Sequence, residues 1–385
     1  MLVAMNANAQ WVQMSNGMGN GVIINSIVEN GSNIFIGTGN FNGVYFSSNN
    51  GSNWIQTSLN NKVIRSLAIS GTNIIAGTYY SGIYYSTNNG TNWISTGNVY
   101  SQNVYNLITV GNIVFAGTDY GVQISTNNGA NWTSTSFNNK MVVCFTSNGN
   151  NIFAGTTSSG VYLSTNNGNS WSQTSFNKYT SCLTSIGSNI FAGTDSSVYI
   201  STNNGINWSK TTLDNQHVMC IEAKDNKIFA CTFENGVFLS TNFGLNWISK
   251  NQGFVLPQSI SSLLISSSYI FAGSYVTTVW RRSLSEIIGI QNISTETPSK
   301  YTLSQNYPNP FNSTSNLKFQ IVNTEDVKLI VYDIMGKEVQ TLVNERLQPG
   351  TYEAAFDASS LNSGVYFYKL ITNTFSETKK MILIK

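Results

Sequence analysis

Three carboxylic acids are the residues of this sequence that could act as catalysts. Asp119, Asp195 and Glu234 each follow a short apolar segment that ends in Gly-Thr or Cys-Thr-Phe. We expect each acid in a loop between two strands of a repeated unit. Cleavage of a glycosidic bond needs two carboxyl groups that face each other across the sugar. These acids are therefore the candidates for a polysaccharide hydrolase or lyase, with ordinary solvated loop residues as the alternative.

Other chemically active groups are sparse. The only histidine, His217, has no Ser or Cys partner in a recognisable motif, and the glycines all lie in turns rather than in a phosphate-binding loop. Neither the cysteine spacing nor the Asn-rich loops are typical of a zinc or calcium site. We therefore expect no catalytic residue from these types, no metal and no cofactor.

The four cysteines follow the repeat of the chain. Cys144, Cys182 and Cys220 are 38 residues apart, so they occupy one position in three successive units. Equivalent positions in neighbouring units are too far apart for a disulfide, which needs Cα atoms within about 7 Å. Cys231 differs, because the hairpin register places it opposite Cys220. That pair either forms a cross-strand disulfide or remains as two buried thiols.

A set of aromatic residues falls in the same loops as the three acids. These loops, and the connections between units, combine rings with Asn, Gln and Lys, which suits contact with glycans or protein surfaces. The alternative is that many of the rings pack between units. The candidate ligand-binding residues are Tyr79, Tyr80, Tyr120, Phe233, Tyr275, Tyr100, Tyr179 and Lys140.

The element that positions these residues is a repeat built on the box Ser-Thr-Asn-Asn-Gly-x-Asn-Trp. Its tryptophans recur every 37 or 39 residues and are Trp54, Trp93, Trp132, Trp171, Trp208 and Trp247. Each box follows a hairpin with a two-residue turn, Gly-X in five units and Asp225-Asn226 in the sixth, and then a third strand, which gives four antiparallel strands per unit. Seven such units of about 40 residues predict an all-β, seven-bladed β-propeller. A strand at Trp11 is expected to complete the seventh blade.

The box resembles the Asp-box of the BNR-repeat propellers, a superfamily that includes sialidases and photosystem II assembly factors. Asn stands where that family has Asp, at Asn49, Asn88, Asn127, Asn166, Asn203 and Asn242. The resemblance implies that the box is a structural turn remote from any active site. A sialidase-like site would need three separated arginines, whereas the propeller has only Arg65, Arg281 and Arg282.

Composition narrows the classes of partner. Charged residues make up 9% of the chain and the net charge is +2, so no basic surface for nucleic acid is expected. No apolar run reaches the ~18 residues of a transmembrane helix. Near the start, Ala7-Asn8-Ala9 has the form of a signal-peptidase site, so we interpret residues 1–9 as the remnant of a signal peptide whose start lies upstream.

The repeat stops near Ile287, residues 288–300 read as a linker, and residues 301–385 form a second β module. This module resembles the type A sorting domain of the type IX (Por) secretion system of Bacteroidetes in its segments Ser304–Asn312, Val331–Val339, Pro349–Tyr352, Leu361–Tyr368 and Lys379–Lys385. The resemblance implies an Ig-like β-sandwich, export across both membranes, and the secretion machinery as a partner. The positions that carry it are Pro308, Asn309, Pro310, Gly336, Gly350, Gly364, Lys380 and Lys385.

These observations predict a secreted or surface-attached protein with a propeller over residues 10–287. The favoured interpretation is a non-catalytic module that binds a glycan or a protein outside the cell. An extracellular polysaccharide hydrolase or lyase is the second hypothesis, with Asp119, Asp195 and Glu234 as its acids. A structural surface-layer component is the third, because the Asn-rich faces of low charge suit repetitive assembly.

Overall fold

A computed structural model describes residues 10–19, 21–97, 99, 101, 103–224, 227–255, 258–276, 278–287, 290–294, 296–358 and 361–385. The chain divides into two compact units, one over Trp11–Arg281 and the other containing Arg282–Lys385. The signal-peptide remnant predicted over residues 1–9 lies outside the described residues. Within the described ranges, no helix has both the length and the apolar character needed to cross a bilayer.

The first unit consists of a short N-terminal strand, six blades of four sequential strands and a seventh blade of three. The N-terminal strand is β1 (Val12–Gln13). Blade 1 contains β2 (Ile24–Asn30), β3 (Asn33–Thr38), β4 (Val44–Ser47) and β5 (Ile55–Gln56). Blade 2 contains β6 (Val63–Ser70), β7 (Asn73–Tyr79), β8 (Ile83–Ser86) and β9 (Ile94–Ser95). Blade 3 contains β10 (Val104–Val110), β11 (Ile113–Thr118), β12 (Gly121–Ser125) and β13 (Thr133–Asn138).

The remaining blades follow the same order. Blade 4 contains β14 (Val142–Asn148), β15 (Asn151–Thr156), β16 (Gly160–Ser164) and β17 (Ser172–Gln173). Blade 5 contains β18 (Cys182–Ile186), β19 (Asn189–Gly193), β20 (Ser197–Ser201) and β21 (Ser209–Asp214). Blade 6 contains β22 (Val218–Lys224), β23 (Lys227–Thr232), β24 (Gly236–Ser240) and β25 (Ile248–Ser249). Blade 7 contains β26 (Ile260–Ile265), β27 (Tyr269–Ser274) and β28 (Val279–Ser283).

The described strands of this unit form seven four-stranded antiparallel sheets, as the repeat predicts. The seventh sheet is completed by β1, which pairs with β28 through Val12–Arg281 and Gln13–Trp280. Each first strand lies beside the first strand of the next blade, and β26 lies beside β2, which closes the ring. The Ser261 hydroxyl of blade 7 also donates a hydrogen bond to the Ile24 carbonyl of blade 1. The propeller therefore closes by pairing its N-terminal strand with its last blade.

Local sequence explains the hairpins. Gly31 and Gly71 open two-residue turns with φ of 62° and 57°, while the residues after them keep negative φ, as a type II′ turn requires. The second strand of each blade is covered on both faces, so its apolar residues are continuous rather than alternating. Ile74, Ile75 and Ala76 in β7 are all fully buried. These strands form the core between neighbouring blades.

The Asn-Asn-Gly box is a hydrogen-bonded turn that joins the third and fourth strands. In blade 2, the Ser86 hydroxyl accepts a hydrogen bond from the Gly90 amide at 2.9 Å and donates one to Asn88 Oδ1 at 3.0 Å. Asn88 Oδ1 also accepts a hydrogen bond from the Asn92 amide at 2.9 Å. Gly90 has a φ of 80°, and a Cβ there would lie 3.1 Å from Thr57 of the preceding blade. The box therefore closes its own turn and packs on its neighbour, and the fourth strand begins one residue after the Trp.

The second unit is a β-sandwich. Its elements are α1 (Leu284–Ile287), β29 (Ile290–Ser294), β30 (Thr302–Leu303), β31 (Thr314–Ile321), β32 (Glu325–Tyr332), β33 (Glu338–Leu347), β34 (Gly350–Asp357), β35 (Gly364–Ile371) and β36 (Ser376–Leu383). One sheet has the order β29-β34-β31-β30 and the other β33-β32-β35-β36. Buried residues of both sheets, among them Phe319, Val331 and Tyr368, form one core. That its topology is specifically Ig-like stays a prediction.

The linker predicted over residues 288–300 is partly wrong. Ile290–Ser294 forms β29 and pairs with β34, with Ile290 opposite Ala354. The Ile290 side chain is buried in the sandwich core, which explains why this short segment is recruited as an edge strand. The Gly, Ser and Thr residues around Ile290 predict a linker, but polar residues are also common on the exposed face of an edge strand. Composition alone therefore does not distinguish the two.

Candidate functional site

The first strand of each blade lies innermost, and we call these seven the inner strands. Their first halves surround a cavity of about 460 Å³ on the propeller axis. Its lining includes Arg65 of β6, Tyr105 of β10, Glu222 of β22 and Tyr275 of the loop after β27. Small-molecule sites usually measure roughly 300–1,000 Å³ and carry a few polar groups on an apolar wall. The channel cavity has the size and the mixed lining of such a site.

Exposed aromatic side chains lie in loops at the end of the channel where the inner strands begin. We call this set the mouth ring, and its members are Phe41, Tyr80, Tyr120, Phe233 and Tyr275, from blades 1, 2, 3, 6 and 7. Their side chains are between 42% and 62% exposed. Backbone hydrogen bonds fasten the loops to the inter-blade connections, for example from the Tyr275 amide to the Ser259 carbonyl at 2.8 Å. Rigid rings are thus presented to solvent around one opening.

Two members of the mouth ring have an unusual backbone. Phe41 has a φ of 60° and Tyr80 a φ of 71°, in the left-handed region that bulky residues rarely adopt. Asn or Gly would occupy these positions at lower conformational cost. Strained residues cluster at functional sites, where the structure around them compensates for their cost. The backbone therefore suggests that these two rings are kept for what their side chains contact.

A compact polar and aromatic cluster joins blades 2 and 3 at the rim of the cavity. The Arg65 guanidinium lies 5.0 Å from the centre of the Tyr79 ring, and the Tyr79 and Tyr80 ring centres are 3.8 Å apart. Tyr79 is also 6.3 Å from Tyr105. The buried Nε of Arg65 has no hydrogen-bond partner among the described residues. This cluster offers aromatic rings that are tilted to one another by 52° and 58°, and an unused donor next to the cavity.

Asp119 anchors this cluster. Its carboxylate accepts hydrogen bonds from the Tyr105 hydroxyl at 2.6 Å, from Asn103 Nδ2 at 2.7 Å and from the Ser101 hydroxyl at 3.4 Å. Burial, followed by the hydrogen bond to Asp119, raises the pKa of Tyr105 well above its usual range. A carboxylate that accepts three hydrogen bonds positions its neighbours, and its oxygens are largely occupied.

The other two candidate acids lie where the sequence predicts them, in loops between second and third strands. Asp195 precedes β20, and Glu234 precedes β24 with a φ of 71°. Both side chains are exposed, and within the described ranges no hydrogen bond joins Asp119, Asp195 and Glu234 to one another. They come from blades 3, 5 and 6, so the fold does not gather them into one hydrogen-bonded group.

Glu222 is an acid that the sequence interpretation sets aside because it is expected within a strand rather than in a loop. It lies in the inner strand β22 and lines both the channel cavity and a second cavity of about 360 Å³. Burial in the channel wall raises the pKa of Glu222 from 4.5 to about 7. The available signal was an acid within the otherwise apolar residues 218–223 of the strand Val218–Lys224. No group of three or more His, Cys, Asp or Glu side chains in the described ranges is arranged to hold a metal ion.

The remaining predicted ligand-binding residues have mixed positions. Tyr179, in the connection between blades 4 and 5, is partly exposed at the mouth. The Lys140 ammonium lies 5.4 Å from the centre of the Tyr162 ring, so this lysine covers a blade rather than the channel. Tyr79 packs in the cluster with Arg65 and Tyr80. Tyr100 lies outside the described residues.

The cysteines are thiols and not a disulfide. Cys220 lies opposite Cys231 in the register predicted from the turn, but all four cysteines are free and buried. The Cys220 and Cys231 side chains are hydrogen-bonded to each other, and this contact, with burial, raises the pKa of Cys220 far above its usual value. The position that Cys144, Cys182 and Cys220 share in the repeat contacts the next blade. There Ser66 accepts a hydrogen bond from the Leu107 amide at 2.9 Å. These three cysteines therefore fill a small site between blades, where the size of the side chain matters and a disulfide partner is not needed.

The predicted sorting-domain residues lie in turns and edge positions of the sandwich. Pro308 and Pro310 both follow cis peptide bonds, and Asn309 Oδ1 accepts a hydrogen bond from the Ile382 amide at 2.9 Å. Gly336 has a φ of 78° in the turn between β32 and β33. Gly350 and Gly364 begin β34 and β35, Lys380 lies within β36, and the Lys385 amide donates a hydrogen bond to the Ser363 hydroxyl at 2.9 Å.

Comparison with protein families bears out both sequence resemblances. Residues 305–385 match the secretion system C-terminal sorting domain, and residues 199–210, which contain one box, match the BNR/Asp-box repeat. No protein with a curated function matches the chain significantly.

Solved structures that resemble this chain include β-propellers of different origin. YCF48 from Cyanidioschyzon merolae has a TM-score of 0.57 at 12% identity, over 71% of this chain and 98% of that one. PorZ, a bacterial surface component of the type-IX secretion system of Porphyromonas gingivalis, has a TM-score of 0.54 at 13% identity, over 100% of this chain and 61% of that one. The GH74 xyloglucanase of Xanthomonas campestris has a TM-score of 0.54 at 13% identity, over 80% and 59%. At these identities the likeness is one of fold.

The fold and the two family matches define an all-β, Asp-box-type β-propeller that carries a C-terminal sorting domain. More particularly, the sorting domain marks the chain for the type IX secretion system, whose machinery it engages. The protein is therefore secreted or presented at the outer cell surface.

Proposed function

We propose that the propeller is a non-catalytic recognition module that binds an extracellular glycan at the mouth of its central channel. The observation that carries this proposal is the exposed mouth ring around a cavity of about 460 Å³. Aromatic rings stack on the apolar faces of sugars, and they lose little conformational entropy when they bind. The ligand would lie across the ring and direct one group into the channel.

Three further features support binding rather than chemistry. Asp119 already accepts hydrogen bonds from three side chains, so its carboxylate is poorly available as a nucleophile or base. Asp195 and Glu234 are exposed loop residues of different blades, and cleavage would need two carboxyl groups held across the sugar. The two left-handed aromatic residues, Phe41 and Tyr80, maintain a costly backbone for the sake of exposed rings.

The test uses the full chain on a glycan array and in polysaccharide pull-downs, with release of reducing sugar assayed in the same samples. The binding variant combines Tyr80→Ala, Tyr120→Ala and Tyr275→Ala. We expect it to lose affinity by about tenfold or more, because aromatic anchors usually dominate such interfaces. The wild-type protein is expected to bind without releasing sugar.

A matched control removes three similarly exposed apolar residues far from the mouth, by Ile55→Ala, Ile206→Ala and Leu245→Ala. This variant should bind like the wild type. Equal losses in both triple variants would mean that binding does not occur at the mouth. Binding of the wild type to none of the glycans and polysaccharides would contradict the glycan and leave a protein partner as the candidate for the same face.

A second candidate function, an extracellular polysaccharide hydrolase, is favoured by one observation. Glu222 lines the cavity and has a pKa raised to about 7, the value that suits a general acid at neutral pH. Sugar release by the wild type that disappears in Glu222→Gln, with binding retained, would support this function over the first.

A further inference from the structure

Exposed apolar residues of the C-terminal unit are concentrated at one end of the sandwich. From residue 296 onwards, the large hydrophobic side chains that are exposed are Tyr307 at 81%, Ile334 at 70%, Met335 at 86% and Ile384 at 54% in the described ranges. Ile293 on the edge strand β29 is the further exposed apolar residue of this unit. Water-exposed Met and Ile at the tip of a turn are costly unless a partner covers them.

Strand pairing shows that these four residues share that end although they come from three distant segments. The turn that carries Ile334 and Met335 follows Tyr332, which pairs with Phe367 near the start of β35. The start of β35, Gly364, pairs with Leu383 at the end of β36, directly before Ile384. The Pro-Asn-Pro segment joins the same end, because Phe311 forms a bridge with Leu383. Tyr307 pairs with Asn316 near the start of β31.

The turn with Ile334 and Met335 is built to be rigid. The Asp333 carboxylate accepts hydrogen bonds from the Met335 and Lys337 amides, each at 2.9 Å. Gly336 provides the left-handed residue that the turn requires, with a φ of 78°. The two apolar side chains are therefore held outwards by a fixed backbone, and little entropy is lost when a partner binds them.

We propose that this end of the domain, defined by Tyr307, Ile334, Met335 and Ile384, is the surface that docks into an apolar recess on a protein of the type IX secretion machinery. The match to a sorting domain covers residues 305–385 as a whole and does not assign the surface that is recognised. Four of the five segments with the sorting-domain resemblance contribute to this end. The fifth, Pro349–Tyr352, lies at the opposite end, where Gly350 pairs with Ile321 and the turns carry polar residues such as Asn323 and Thr374. The sandwich thus functions as a scaffold that brings separate segments together into one docking face.

The experiment follows secretion of the full chain, expressed behind a Sec signal peptide, in a bacterium with an intact type IX system. The variant Ile334→Ser/Met335→Ser removes the apolar turn tip. We expect its secreted fraction to fall by about tenfold, as for loss of a central apolar contact. A melting temperature equal to that of the wild type, measured on purified full chain, shows that the loss is one of recognition.

The matched control is Asn323→Ser/Thr374→Ser, two exposed residues at the opposite end of the same sandwich. It should be secreted like the wild type. The pair Tyr307→Ser/Ile384→Ser provides an independent test on other segments, and it decides the question if the first variant fails to fold. Normal secretion of both apolar variants would overturn the proposal. If the wild type dimerises while both variants are monomeric and fully secreted, this end is an interface between two copies of the chain and the proposal is wrong.

Discussion

The two faces of the propeller use their residues in opposite ways. On the box face, six boxes repeat nearly the same sequence, and their side chains are bonded within the turn or to the preceding blade. On the mouth face, equivalent loops differ from blade to blade. Blades 1, 2, 3, 6 and 7 carry exposed rings, while the loops of blades 4 and 5 carry Ser158 and Asp195 instead.

This difference separates residues that maintain the fold from residues that are available to contact a ligand. A repeated residue whose hydrogen bonds are all made within the scaffold contributes to stability, and its replacement is felt in folding. A variable, exposed residue on a rigid loop contributes little to stability and is available for recognition. Stability measurements on the two faces should therefore give effects of very different size.

The largest expected effect contrasts Trp132→Ala on the box face with Tyr120→Ala on the mouth face. Trp132 is buried among Leu107, Val114 and neighbouring residues, and its Nε1 donates a hydrogen bond to the Gly129 carbonyl at 3.0 Å. Its truncation leaves a large cavity and should lower the free energy of unfolding by about 3–5 kcal/mol. Tyr120→Ala should change it by about 0.5 kcal/mol or less. Urea unfolding followed by circular dichroism measures both, and similar losses would contradict the separation of the two faces.

The box face is also the part that the sequence predicts well. The two-residue turns, most of them Gly-X, set the hairpin register, and the length of the turn together with the repeat is enough to place Cys220 opposite Cys231. The number of blades follows from the period, and closure follows from a Trp-led strand without preceding partners. Each of these features depends on residues close together in the chain.

The mouth face is predicted less completely because its contacts join distant residues. The sequence identifies Asp119 as a loop acid, but the bond of this acid to the Tyr105 hydroxyl depends on how two strands are aligned. The sequence also places Glu222 in a strand, but alternation does not reveal that one face of an inner strand lines a cavity. In the sandwich, the sequence does not predict β33 (Glu338–Leu347). Its polar residues interrupt the alternation of apolar and polar residues that identifies a strand.

A smaller effect sharpens the comparison between the channel and its rim. Because the pKa of Glu222 in the folded chain is about 7, above its ordinary 4.5, the folded chain holds this proton more tightly than the unfolded chain does. Stability therefore falls as pH rises through this window and is constant above it. Between pH 4.5 and 8, the wild type should lose on the order of 2 kcal/mol relative to Glu222→Gln, since the partly solvated channel reduces the full effect.

The control for this measurement is Ser158→Ala, an exposed residue at the rim that carries no titratable group. Its unfolding free energy should follow the wild-type pH dependence at every pH. If Glu222→Gln retains the wild-type pH dependence as well, the Glu222 carboxyl is not desolvated by the channel wall. The distinction between a buried channel and an open mouth would then be wrong.

The smallest effect tests why the boxes contain Asn where similar propellers contain Asp. Asn127 Oδ1 accepts hydrogen bonds from the Ser125 hydroxyl and the Asn131 amide, each at 2.9 Å. Asn127→Asp keeps both bonds and makes them charge-assisted, so it should stabilise the chain by about 0.5 kcal/mol at this exposed turn, and less in 1 M salt. Asn138→Asp on the mouth face, where no such turn exists, should be neutral.

A stabilising Asn127→Asp would mean that folding does not require amides in the boxes. The low charge of the box face would then have a role outside folding. It would matter for the contacts that this face makes during secretion or during assembly at the cell surface. Destabilisation would show instead that the turn needs an amide. Asn166→Asp would be destabilising for a different reason, because it loses the hydrogen bond that Asn166 Nδ2 donates to the Ser170 hydroxyl at 2.9 Å.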